Sequence, residues 1–187
     1  GVVETHGRVE TDLLTKGIES VPKKRVPYKG RVLAEMDIDA ILQRRPRLVL
    51  VDELAHENAP GSRHPKRYLD VEELLAAGID AYTALHVHPL ESLNDVVAKI
   101  TRVRVRETLP DEILERADEV ELVDLTPQAL IKRLHEGKVY VGGQAQRALA
   151  HFFQPGNITA LRELALRRVA ERVDEQMLDY MRQHAIV

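Results

Sequence analysis

Asp52 and Glu53 close an unbroken apolar run, Leu48-Val49-Leu50-Val51. Two adjacent carboxylates in that position could hold a hydrated Mg²⁺ beside a phosphorylated ligand. An apolar run without alternation predicts a strand buried on both faces, as in parallel sheets covered by helices. Open α/β sheets bind their ligands at the C-terminal edge of such strands. There Asp52 would be the metal ligand, usually through water, and Glu53 could polarise an attacking water. The pattern matches the metal-holding strand of a nucleotide-binding site.

Phosphate oxygens also need positive charge and backbone N–H groups, because several negative charges must be balanced away from bulk water. The stretch Asn58-Ala59-Pro60-Gly61-Ser62-Arg63-His64-Pro65-Lys66-Arg67 holds two prolines and a glycine, so it reads as a loop. It follows the Asp52 strand closely enough to bring Arg63, Lys66 and Arg67 to the same edge. Glu4, His6 and Arg8 leave the end of another strand-like segment, and His86 and His88 end a third; both groups could reach the same crevice. No Gly-x-x-x-x-Gly-Lys-Ser/Thr run occurs in the chain, so the phosphate cradle is absent and hydrolysis by this segment alone is not expected. Gly-x-Ser-x-Gly is absent too. Glu53 and His56 form the one Glu-x-x-His, across a turn and without a third ligand fixed by spacing.

The 187 residues carry 27 basic and 30 acidic side chains, a formal charge of -3, and 44% hydrophobic residues. That content suffices for a core, and the charge offers no general attraction to nucleic acid or to an anionic membrane. The absence of cysteine excludes disulfides, thiolate catalysis and zinc-thiolate sites. No apolar stretch approaches the roughly 18 residues of a membrane-spanning helix.

The elements that must position these residues follow from periodicity. Gly1 to Glu4 reads as the end of a strand, so further sequence is expected before it. A short helix through Leu13 and Leu14 stops near Gly17, and Val26 and Tyr28 suggest a short strand after the solvated cluster Lys23, Lys24, Arg25. Leu33, Met36, Ala40 and Ile41 predict a helix over 33–42, closed by Pro46. Asp70 and Glu73 form a capping box for a helix ending at Gly78. A strand is expected over 80–87, then a helix facing inward through Leu90, Leu93, Val97 and Ile100. Val120, Leu122, Val123 and Leu125 suggest another strand. Thr126 and Pro127 suit the N-cap and first position of the next helix. Strand and helix alternate, which argues for a parallel sheet with crossover helices. Past Val141 a helix is expected over 145–153, broken by Pro155-Gly156. A last helix capped by Asn157 carries the stripe Leu161, Ala165, Val169, Val173, Met177 and Met181.

Several long segments resemble the cytoplasmic N-terminal domain of the KdpD family of osmosensitive potassium sensor histidine kinases. They are Val-Val-Glu-Thr-His-Gly-Arg at 2–8, Leu-Val-Asp-Glu-Leu-Ala-His at 50–56, and the loop sequence at 58–67 quoted above. Leu-Glu-Ser-Leu-Asn-Asp at 90–95, Ala-Asp-Glu-Val-Glu-Leu-Val-Asp-Leu at 117–125 and Leu-Arg-Glu-Leu-Ala-Leu-Arg-Arg at 161–168 extend the likeness. The chain departs at His86-Val87-His88-Pro89, where family members commonly read Asn-Val-Gln-His.

The resemblance implies an α/β, P-loop NTPase-like parallel sheet with helices on both faces. The first strand and the Walker A loop are expected upstream of Gly1, and Asp52 with Glu53 looks like the Walker B element. It implies a regulatory domain over 1–156 and a C-terminal helical extension over 157–187 connecting to a following domain. The implied function is an ATP-binding, Mg-dependent regulatory module on the cytoplasmic side of an inner-membrane sensor kinase that controls potassium transport genes. Its partners are then the nucleotide, the downstream domains of the same kinase and, through them, a response regulator. Pairing into a homodimer is left open. A protein-interaction module on an NTPase-like scaffold is the alternative. Asp52-Glu53-Leu54-Ala55-His56 resembles the helicase Asp-Glu-x-His, but its histidine comes one position late. No aromatic and basic platform for nucleic acid accompanies it.

Overall fold

Val2 lies beside the Asp52 strand and pairs with it in parallel. Its N–H donates to the Leu50 carbonyl (2.9 Å) and its carbonyl accepts from Asp52 N–H (2.8 Å). The approach is so close that a Cβ on Gly1 would fall 1.8 Å from the Leu50 carbonyl oxygen. This computed structural model describes residues 1–139 and 152–184 and is an α/β fold. Contacts group the chain into two units, Gly1–Pro89 with Arg106–Leu109, and Leu90–Val105 with Pro110–Val187.

In the first unit the elements are α1 (Val9–Thr15), β1 (Lys24–Tyr28), β2 (Arg31–Glu35), α2 (Ile38–Arg44), β3 (Leu48–Val51), α3 (Arg67–Ala76) and β4 (Asp80–Thr83). β3 and β4 pair in parallel, from Leu48 opposite Asp80 to Val51 opposite Thr83. The parallel arrangement expected around Asp52 is therefore present. Ile41 of α2 and Leu74 of α3 are fully buried with Val2, Val49 and Val51. α3 packs on both β4 and α2. The strand is not buried on both faces, however. Leu48 is 43% exposed and Leu50 half-buried, so burial alternates along β3.

Two further expectations change in this unit. Leu33 belongs to a strand, because β1 and β2 form an antiparallel hairpin with Val26 opposite Leu33. The two-residue connection Lys29-Gly30 takes positive φ at both positions (47° and 75°), which matches the right-handed twist of the hairpin it joins. The helix begins only at Ile38, where the Asp37 carboxylate accepts a hydrogen bond from Ala40 N–H (3.0 Å). The strand expected over 80–87 is regular for four residues, although Ala84 still donates to the Val51 carbonyl (3.3 Å).

In the second unit a 3-10 turn over Glu91–Leu93 leads into α4 (Asn94–Thr101), followed by α5 (Asp111–Glu115), α6 (Pro127–His135) and α7 (Pro155–Gln183). Residues 119–126 form no strand, and Val123 is 86% exposed. Among the described residues, no strand pairs with the apolar residues there. Thr126 caps α6 as expected: its Oγ1 accepts from Ala129 N–H (3.2 Å), and Pro127 occupies the first turn. Thr126→Ala should cost about 1 kcal/mol of this unit's stability, measured by urea denaturation followed by circular dichroism. An unchanged midpoint would refute the capping role.

The helix expected over 145–153 lies outside the described residues except for Phe152 and Phe153, which form a turn. Pro155 opens α7 instead of breaking a helix, because proline has no N–H to lose in the first turn. Asn157 is consequently inside α7, its amide donating to the Phe152 carbonyl (3.3 Å), and Gln154 takes the N-cap position. The middle of α7 is tied to its own unit by arginines. Arg168 donates to Glu115 (2.8 Å), and the buried Arg172 donates to the carbonyls of Glu115 and Ala117.

Candidate functional site

Asp52 stands where β3 ends, half-buried, and its carboxylate is oriented by two backbone N–H groups. One oxygen accepts from Glu4 N–H (3.1 Å), so the Val2 segment and β3 meet at this side chain. The other accepts from Glu53 N–H (2.8 Å). Glu53 itself has φ 52°, in the left-handed region, which turns the chain out of the strand directly after Asp52. A non-glycine residue held there is uncommon, and such positions gather at functional sites.

The Glu53 carboxylate accepts from His6 Nε2 (2.9 Å), and His6 also has positive φ (49°) in the turn that follows Glu4. Arg8 closes that turn, donating through Nε to the Thr5 carbonyl (3.0 Å) and through Nη2 to the Glu4 carbonyl (3.0 Å). The Glu4 carboxylate pairs with Lys23 (2.5 Å). Of the three arginine and lysine candidates in the 58–67 loop, only Arg67 reaches this place. It is 2% exposed, donates to the Asp52 carbonyl (3.1 Å), and lies 3.8 Å from Glu53 and 3.6 Å from Glu35.

Arg63 and Lys66 make their contacts elsewhere. Arg63 spans Asp39 (2.7 Å) and Glu73, while Lys66 pairs with Glu57 (2.7 Å). The loop is a small folded unit in its own right: Glu57 pairs with Lys66, and Asn58 N–H donates to the Pro65 carbonyl (3.0 Å). Asp70 and Glu73 hold it from α3 and do not form the capping box expected of them. α3 starts three residues earlier, at Arg67. Asp70 is buried and accepts from the Asn58 amide (2.7 Å), and Glu73 accepts from Arg63 and His64. Burial holds the Asp70 carboxyl above the ordinary carboxylate range, with the Asn58 hydrogen bond opposing the shift.

Glu35 is the residue that sequence reasoning missed. It is buried at the end of β2, accepts from Ala59 N–H (3.0 Å), and lies 3.1 Å from His56 Nε2. His56 faces Glu107 on its other ring nitrogen (3.6 Å). A second layer, Glu35, His56 and Glu107, thus sits behind Arg67. Only the hairpin brings Glu35 there, and a helix assigned over 33–42 hides it.

Among the described residues no group of three or more His, Asp or Glu side chains is arranged as a metal cage, and no helix is long and apolar enough to cross a membrane. A cage is not what Mg²⁺ requires. This ion commonly keeps several waters and takes one or two protein carboxylates. Asp52 fits that donor set, since each of its oxygens accepts one amide N–H and retains a further lone pair.

The family model for the KdpD osmosensitive K⁺ channel His kinase sensor domain matches residues 1–173. The chain is 62% identical over 177 residues to the sensor protein KdpD of Escherichia coli K12, covering 95% of this chain and 20% of that protein. It is 53% identical over 174 residues to the sensor protein KdpD of Clostridium acetobutylicum (93% and 19%), and 51% identical over 171 residues to that of Mycobacterium tuberculosis H37Rv (91% and 20%). The chain belongs to the KdpD sensor-domain family. It spans about a fifth of the length of these relatives.

Proposed function

We propose that this chain is the ATP-binding regulatory module of a KdpD-type sensor histidine kinase, acting from the cytoplasmic side of the inner membrane in potassium-related two-component signalling. Bound Mg-ATP would bias the signalling state of the kinase domains, and through them a response regulator that controls potassium transport genes. The reading rests on one observation above others. A half-buried carboxylate, Asp52, is presented at the C-terminal edge of parallel strands and oriented by two backbone amides. Asp52 would hold Mg²⁺ through water, and the ion when bound would offset the charge of the phosphate oxygens. Glu53, His6 and Arg67 supply the surrounding charge. In this reading the module binds nucleotide, and the nucleotide acts by favouring one of two states.

In the full-length sensor protein, Asp52→Asn should weaken Mg-ATP binding roughly tenfold, a change of about 1.4 kcal/mol. An isothermal titration identical to that of the unaltered protein would dispose of the nucleotide reading. A second reading, a protein-interaction module without nucleotide, draws on a specific feature: the Glu53 carboxylate is paired with His6 and lies close to Arg67. Absence of Mg-ATP binding to the unaltered full-length protein would favour it.

A further inference from the structure

Residues 23–34 carry five cations, Lys23, Lys24, Arg25, Lys29 and Arg31, and no carboxylate. The hairpin of β1 and β2 presents all five at its surface. Both of its ends are anchored beside the Asp52 site. Lys23 pairs with Glu4 (2.5 Å), and the buried Glu35 accepts from Ala59 N–H (3.0 Å) and faces Arg67 (3.6 Å). Beyond those anchors the two strands contact each other far more than any other element, and Lys29, Gly30 and Arg31 at the turn are exposed.

Residues opposite one another in an antiparallel pair share a face of the sheet, and successive residues alternate between faces. One face holds Val26 opposite Leu33 and Tyr28 opposite Arg31, and there Val26, Leu33 and Tyr28 are half-buried. The other holds Arg25 opposite Ala34 and Pro27 opposite Val32, and all four are exposed, Val32 at 53%. The outward face is therefore apolar at its centre, with Arg25 at one end and Lys29 and Arg31 at the turn. Lys24 is held by Asp39 (3.3 Å), and the Lys29 ammonium lies over the Tyr28 ring (5.1 Å), which leaves its charge uncompensated. Among the described residues no carboxylate forms an ion pair with Arg25, Lys29 or Arg31.

We propose that the outward face of this hairpin docks on the surface of an anionic lipid bilayer, with Arg25, Lys29 and Arg31 against headgroup phosphates and Pro27 and Val32 at the headgroup boundary. The proposal is independent of what Asp52 binds. Each basic side chain brought to an anionic surface strengthens association about fivefold. The formal charge of -3 on the whole chain does not cancel this, because surface potentials decay within roughly 10 Å and only the hairpin need come that close. A protein partner fits less well, since four outward residues and a turn fall far short of the roughly 20–30 residues a side of a stable interface. A fluid bilayer needs no complementary shape. Strand addition along β1 is also impeded, because Pro27 has no N–H to give a further strand. Nucleic acid would stack its bases on aromatic rings, and Tyr28, the one aromatic of the hairpin, is half-buried beneath Lys29.

Co-sedimentation of the 187-residue chain with sucrose-loaded vesicles tests this. At about 50 mM salt the chain should pellet with phosphatidylcholine vesicles containing about 30% phosphatidylglycerol and not with pure phosphatidylcholine, and the binding should fade by about 500 mM salt. The double variant Arg25→Glu, Arg31→Glu should lower the partition coefficient roughly 25-fold or more. It should keep its far-UV circular dichroism, because both positions are exposed. Since the chain contains no tryptophan, Val32→Trp places a single reporter on the outward face. Its emission should shift to the blue on the anionic vesicles alone. The proposal is overturned if the chain pellets with neither vesicle or equally with both, if the glutamate variant binds as well as the unaltered chain, or if the tryptophan emission stays fixed on vesicles that bind the chain. Binding to poly-uridine RNA or to polyglutamate with none to the anionic vesicles would overturn it in favour of a nucleic-acid or an acidic protein partner.

Discussion

Replacing Arg67 by Met should destabilise the chain by about 3–5 kcal/mol, the usual consequence of removing one partner from a buried ion pair. Arg67 is 2% exposed and Glu35 6% exposed, and neither can turn to water. The guanidinium faces Glu35 (3.6 Å) and Glu53 (3.8 Å) and donates to the Asp52 carbonyl (3.1 Å). Methionine would fill similar space, so the loss is mainly electrostatic and not a cavity. Glu35 would remain with Ala59 N–H and His56 alone, and the Asp52 carbonyl would lose its donor. Neutralising the stranded acid should recover part of the loss. The double variant Arg67→Met, Glu35→Gln should therefore be more stable than the sum of the two single changes predicts, by more than about 0.5 kcal/mol. Urea unfolding of the four proteins measures both quantities. A single-variant loss below about 1 kcal/mol, or strict additivity, would mean that the pair is not a structural unit.

The second large effect is a pH dependence centred on His88. Burial, and secondarily the charge of the adjacent His86, lower His88 from 6.5 to about 4. The two rings stack, with centroids 5.1 Å apart. Between those pH values the unfolded chain takes up a proton that the folded chain refuses. The folded state is therefore favoured fully above pH 6.5, and this contribution is lost progressively as pH falls toward 4. Its ceiling is about 3 kcal/mol. Other groups also titrate in acid, so the informative quantity is the stability difference between the unaltered chain and His88→Gln. That difference should move by about 2–3 kcal/mol in favour of the variant between neutral pH and pH 4. A constant difference across the range, whatever its size, would show that His88 is not held neutral by its surroundings.

Much of the local structure was legible from residue order. Thr126-Pro127 announced the start of α6, because the cap and the fixed φ of proline act within one turn of the chain. The apolar run ending in Asp52-Glu53 announced a parallel strand, and the pairing of β3 with β4 agrees. The misreadings share a cause. Leu33 and Met36 fit a helical period as well as a strand, and the decision fell to a two-residue turn at Lys29-Gly30 whose backbone suits a hairpin. Val120 to Leu125 have the composition of a strand, but a strand needs a neighbour, and none is near them among the described residues.

Sequence alone settled which residues carry charge and hydrogen-bonding capacity, and that Asp52 and Glu53 leave a strand together, since these depend on covalent order and short-range periodicity. Tertiary structure decided which charges meet. Arg63, Lys66 and Arg67 lie within five residues of one another, yet only Arg67 reaches Asp52, because it opens α3 facing the end of β3 while the other two turn to Asp39, Glu73 and Glu57. Glu35 enters the same cluster from a hairpin seventeen residues before Asp52. Such meetings are fixed by the packing of elements distant in the chain, where the cost of burying a charge is met only by a partner that folding brings within reach.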